Sequence, residues 1–130
     1  MGYMAHKEYY DQFMDFSSLK DKGIFPSDLD MVYMCEDGYL IIGEIKYIGN
    51  HVQGKQEQVL TGIIDGHSYD GCLLEIEHHT RIQESDRVDV ADCKVVRAYF
   101  NEVWHQYRKP LSVLQWMTML NNKHGGLTRV

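Results

Sequence analysis

Residues 39–48 constrain this chain more than any other stretch. Read as a β-strand, one face carries Leu40, Ile42, Glu44, Lys46 and Ile48, and the other carries Tyr39, Ile41, Gly43, Ile45 and Tyr47. Both faces are largely apolar, which marks an interior strand rather than a half-exposed one. Glu44 and Lys46 are then charges set into such a strand. Buried charge is costly unless it finds a partner, so the residues that come opposite these two decide what the strand is for.

The partner follows from hairpin register. Glu36-Asp37-Gly38 separates this strand from a second one at residues 29–35. A three-residue loop with Gly38 in the left-handed conformation pairs Cys35 with Tyr39. Counting back along both strands puts Asp30 opposite Glu44. A two-residue Asp37-Gly38 turn would instead pair Asp30 with Ile45 and send Asp30 to the other face. A site built from Asp30 and Glu44 therefore requires the longer loop.

The rest of the chain supplies the layers. Residues 5–19 read as a helix with Tyr9, Phe13 and Phe16 on one face, and residues 52–64 as a helix with Val52, Val59, Leu60 and Ile63 in register. Residues 72–77 and 93–100 read as strands, with a short one possible at 102–107. Residues 111–122 read as a last helix after Pro110, and Trp104, Trp116, Met117 and Met119 as core or interface. The order α-β-β-α-β-β-α predicts an α/β fold, a mixed β-sheet flanked by helices. At 130 residues one domain is expected over residues 1–122, followed by a flexible tail at 123–130.

Composition narrows the setting. No apolar run reaches membrane-spanning length and no secretory signal is visible. Cys35, Cys72 and Cys93 show no C-x-x-C spacing, which argues against a disulfide or zinc framework and for a reducing, cytoplasmic location. The net charge is −6, and all of it falls in residues 1–65, the half that carries the motif. The chain lacks the strongly basic balance of a tight nonspecific nucleic-acid binder. Arg81, Arg87, Arg97, Arg108 and Lys109 remain candidates for a phosphate-facing patch.

Two carboxylates on neighbouring strands can coordinate Mg²⁺ or Mn²⁺ through oxygen, and the Ile45 carbonyl can add a ligand. Asp30, Glu44 and Ile45 are thus the candidate metal ligands. Lys46 is expected to orient a water or stabilise charge in the transition state; two nearby acids would raise its pKa, which disfavours a general-base role. Gln56 lies on the apolar stripe of the second helix, where a polar group needs a partner. Asp28 and Glu8 are competing acids, read first as a turn former and an exposed helix residue. His51 follows the strand and can touch phosphate, and His78 and His79 end a strand near the same level. The bland alternative is an ion pair of Lys46 with Glu44 or Asp30 that merely closes the sheet.

Pro26-Ser27-Asp28-Leu29-Asp30, Gly43-Glu44-Ile45-Lys46-Tyr47 and Gly54-Lys55-Gln56-Glu57-Gln58-Val59-Leu60 together resemble the PD-(D/E)XK nuclease superfamily, in particular its small phage and prophage members. The resemblance covers about residues 26–100. It implies a restriction-endonuclease-like α-β-β-β-α-β core, Mg²⁺-dependent cleavage of DNA, and Asp30, Glu44 and Lys46 as catalytic residues, with Gln56 assisting. An acidic chain this small covers few base pairs, so a homodimer or a partner protein fits. The alternatives from other classes are a catalytically idle DNA- or protein-binding module and a purely structural subunit.

Overall fold

The computed structural model describes residue 15 and residues 17–23, 29–81 and 87–125. Among the described residues the elements are α1 (Ser17–Asp21), β1 (Met31–Met34), β2 (Leu40–Tyr47), α2 (Gly54–Gly66), β3 (Gly71–His78), β4 (Lys94–Phe100), β5 (Val103–Gln106) and α3 (Val113–Gly125), with a 3₁₀ turn at Val90–Asp92. They form an α/β fold around one mixed sheet in the order β1-β2-β3-β4-β5. Only β2 and β3 run parallel, joined by the α2 crossover; the other pairs are antiparallel.

The hairpin takes the longer loop. Met31 pairs with Gly43 and Met34 with Leu40, while the Cys35 N–H donates to the Tyr39 carbonyl at 2.9 Å and the Gly38 N–H to the Cys35 carbonyl at 2.9 Å. Gly38 has φ +95°, a conformation that glycine reaches without a Cβ clash. Asp37 Oδ1 accepts from the Tyr39 N–H at 2.9 Å, which closes the loop locally.

Both faces of the interior strand are covered. On one side Leu40 and Ile42 pack with Val52, Leu60, Ile64, Leu73 and Tyr99 under α2. On the other, Ile41 packs with Cys72, Leu74, Ile76, Val95 and Ala98 against Val113, Trp116 and Leu120 of α3. Each such side chain contributes about 1.5–3 kcal/mol when fully buried. Cys35, Cys72 and Cys93 are buried free thiols. Among the described residues, no helix is long and apolar enough to cross a membrane.

Four expectations shift. α2 begins at Gly54, not at residue 52: Gln53 is extended, Gly54 has φ +64°, and Val52 is buried ahead of the helix. The buried stripe of α2 runs through Leu60 and Ile64, leaving Val59 and Ile63 exposed. The short strand expected at 102–107 is present and narrows to Val103–Gln106: Phe100 pairs with Val103 across a two-residue turn in which Asn101 and Glu102 both have positive φ, 52° and 65°. That is the twist a tight hairpin needs, carried here without its usual glycine.

The fourth shift concerns the C-terminal side. α3 starts after Ser112, whose Oγ accepts from the Gln115 N–H at 3.1 Å while Gln115 Oε1 accepts from the Ser112 N–H at 2.8 Å, a reciprocal cap. It then runs past the expected tail boundary at 123. His124 stacks on Tyr39, with centroids 3.9 Å apart, and its Nδ1 meets Asp37 Oδ2 at 2.9 Å, so residues 123–125 are helical and tied to the β1–β2 loop. Residues 126–130 lie outside the described residues, as do Tyr9, Phe13, Phe16 and most of the helix expected at residues 5–19.

Candidate active site

Asp30 stands one residue before β1. Continuing the β1–β2 register by one step sets it opposite Glu44, and its Oδ2 accepts the Ile45 N–H at 2.8 Å. Because a strand residue turns its N–H and C=O to the same edge, the Ile45 carbonyl also faces the Asp30 side. Asp30 itself is exposed. The edge where β1 runs out is thus lined by one exposed carboxylate and one strand carbonyl.

Glu44 is buried, at 3 % exposure. Gln56, in the first turn of α2, donates from Nε2 to Glu44 Oε2 at 2.6 Å. The α2 crossover places that glutamine over β2, as its position on the apolar stripe predicts. The second oxygen, Oε1, is buried without a hydrogen-bond partner, and an unsatisfied buried acceptor costs about 1–3 kcal/mol. Burial and, next, the charge of Asp30 push the Glu44 carboxyl up to about 7, against the opposing pull of Lys46. Asp30 stands one register step beyond the Met31–Gly43 pair, opposite Glu44, so its charge bears directly on the buried carboxyl.

Lys46 follows on the same face of β2, half-buried. Among the described residues it forms no ion pair with Asp30 or Glu44 within 4.0 Å. The architectural ion pair considered from the sequence is not formed among the described residues.

These groups fit a divalent cation of the hard, oxygen-seeking kind. Asp30 and Glu44 face one another, Glu44 Oε1 lacks a partner, and the Ile45 carbonyl adds a neutral oxygen. Among the described residues no cluster of three or more His, Cys, Asp or Glu side chains stands ready for a metal.

A second buried acid escaped the sequence reading. Glu75 on β3 lies directly beside Glu44 in the parallel register and is 1 % exposed. Its Oε1 accepts from the Val52 N–H at 2.8 Å and from Arg97 Nε at 2.9 Å, and its Oε2 meets His51 Nδ1 at 2.8 Å. The signal was present: an acid among Cys72, Leu73, Leu74 and Ile76 breaks an apolar strand just as Glu44 does. Arg97 is held by this acid, by the Val52 carbonyl at 2.6 Å and over the Trp104 ring at 3.8 Å. It therefore leaves the phosphate-facing patch considered above. Trp104 in turn donates from Nε1 to Glu57 Oε2 at 2.8 Å, which pins β5 to α2.

The remaining candidates separate. His78 ends β3 beside Tyr47, meets that ring edge-on at 5.4 Å and has Nδ1 buried without a partner. His79 pairs with Glu77 at 3.1 Å. Arg81 and Arg87 belong to the β3–β4 connection and Arg108 and Lys109 to the β5–α3 connection. Glu8 and Asp28 lie outside the described residues. No family model matches this chain, and neither the curated proteins nor the solved structures contain a significant match.

Proposed function

We propose that this protein is a divalent-metal-dependent deoxyribonuclease that hydrolyses phosphodiester bonds, on a core of the PD-(D/E)XK kind. The observation that carries this reading is Glu44: a buried carboxylate facing Asp30, with one oxygen fixed by Gln56 and the other unpartnered. When ionised, such a carboxylate destabilises the fold, and a bound cation would offset that cost.

Asp30, Glu44 and the Ile45 carbonyl would hold Mg²⁺ or Mn²⁺. The bound ion supplies Lewis-acid stabilisation of the phosphate and acidifies a water at neutral pH. Gln56 fixes the rotamer of Glu44 and leaves Oε1 as the free donor atom. Asp30 is oriented by the Ile45 N–H. Lys46, free of ion pairs with either acid, orients the attacking water and stabilises negative charge on the phosphoryl oxygens. The buried free thiols are in keeping with a cytoplasmic setting. The acidic surface favours action as a homodimer or with a partner protein over tight binding by the lone chain.

The test incubates the protein with plasmid, linear duplex and single-stranded DNA in Mg²⁺ or Mn²⁺, alongside Mn²⁺ calorimetry and thermal shift. Lys46→Ala should keep the metal response and lose cleavage, and Glu44→Ala should lose both. Wild-type protein that gives no Mn²⁺ heat, no thermal shift and no cleavage rules the reading out. DNA binding and a metal response without cleavage in any substrate would instead identify an idle binding module.

A further inference from the structure

Glu75 and His51 form a cluster that the proposed metal site does not use. The Glu75 carboxylate receives three donors, from Val52, Arg97 and His51. It cannot turn toward a metal without giving up these bonds, so of the two buried acids in register only Glu44 has a free oxygen. Arg97 already neutralises Glu75 at 2.9 Å, so the charge balance of the cluster does not require the imidazole. What Glu75 does for His51 is orient it. An ionised carboxylate accepts only, which puts the hydrogen of His51 on Nδ1 and turns Nε2 away from the cluster. The His51 side chain is 53 % exposed, so that outward edge is open to solvent.

Location gives the outward edge a use. Neighbouring strands lie about 4.8 Å apart, so Glu75 stands one strand spacing from Glu44, and the imidazole is bonded to Glu75 at 2.8 Å. Lys55, exposed in the first turn of α2, adds positive charge four residues after His51. Resting on the nuclease reading above, we propose that His51 is a substrate-binding residue that donates from Nε2 to a backbone phosphate next to the scissile one, with Glu75 as its positioning residue. In the imidazolium form both ring nitrogens donate, Nδ1 to Glu75 and Nε2 to the phosphate. A contact of this kind sets the register of the nucleic-acid strand and reads no base.

His51→Asn separates the two roles, since its amide nitrogen takes the place of Nδ1 and can still donate to Glu75 while the outward nitrogen is lost. Anisotropy of labelled single-stranded and duplex oligonucleotides without added metal should show Kd raised about ten- to a hundredfold, the loss of one charge-assisted hydrogen bond. KM should rise in step, with kcat within about twofold and the Mn²⁺ thermal shift unchanged. Glu75→Gln, which keeps an acceptor for Arg97, should show the same signature more weakly, and the double variant should be no worse than His51→Asn alone because the pair acts as a unit. Unchanged Kd and KM in His51→Asn overturn the proposal, whether or not its Tm falls. Wild-type protein that binds DNA but neither binds Mn²⁺ nor cleaves would sink the nuclease reading alone, and the His51→Asn anisotropy would still decide the phosphate contact. Wild-type protein that binds no DNA overturns both.

Discussion

Glu44→Gln should make the metal-free protein more stable at alkaline pH while abolishing its metal response. The Glu44 carboxyl is raised from 4.5 to about 7 by burial and by Asp30. Each unit is worth 1.36 kcal/mol, so the ionised form costs the fold about 3 kcal/mol at pH 8. The sign follows from linkage: the folded state binds the Glu44 proton more tightly than the unfolded state does. Stability therefore rises as pH falls from about 7 toward 4.5, and the penalty is complete above pH 7. A glutamine at this position mimics the protonated acid. Its amide oxygen can accept from Gln56 Nε2, and its amide N–H can donate to Asp30. In urea denaturation with EDTA, the variant should gain about 3 kcal/mol at pH 8, a midpoint shift of roughly 1–3 M, and only about 1 kcal/mol at pH 5. A variant that is less stable than wild type at pH 8, or an equal gain at both pH values, would refute the account of Glu44 as an uncompensated buried acid.

Further outcomes follow from the same geometry. Mn²⁺ affinity, measured by calorimetry, should strengthen as pH rises through 7, because the ion competes with the Glu44 proton; a flat profile from pH 6 to 8 would contradict this. Glu75→Ala leaves Arg97 and the Val52 N–H without their acceptor and should cost about 3–5 kcal/mol in chemical denaturation, more than His51→Ala. Gly71→Ala should be strongly destabilising, since an added Cβ would fall on the Leu40 backbone oxygen. Gly43→Ala should cost less, because its Cβ meets only the side-chain atoms Met31 Cε at 2.7 Å and Ile76 Cδ1 at 2.9 Å among its closest neighbours, and thermal melts of the two variants give the comparison. Ser112→Ala removes the reciprocal cap of α3 and should lower stability by about 1 kcal/mol.

The β1–β2 half of the site was legible because its geometry is local. Gly38 sets the turn, the turn sets the register, and the register brings Asp30 to Glu44 with no information from elsewhere in the chain. Gln56 was legible for a similar reason: helical spacing put it on the stripe that ends up over β2. The start of α2 was misjudged because Val52 is apolar and one turn before Gln56, yet Glu75 holds its N–H and Gly54 breaks the path. β5 was faint because Asn101-Glu102 adopts a turn whose usual marker is glycine. The extension of α3 to Gly125 depends on His124 meeting Tyr39 and Asp37, a contact invisible at that distance along the chain.

The sequence by itself determined an interior strand with an acid and a lysine on one face, the turn that places a second acid opposite, and a glutamine on the following helix. Each rests on side-chain alternation, turn chemistry or helical period, which act over a few residues. Only the tertiary structure decided which of the buried acids is free to take a ligand. The α2 crossover lays β3 parallel to β2 and sets Glu75 beside Glu44, and Arg97 from β4 and His51 from the loop before α2 then occupy Glu75. Glu44 is left with one open oxygen. Both acids interrupt apolar strands in the same way, and it is packing between segments distant in the chain that gives them different hydrogen-bond partners.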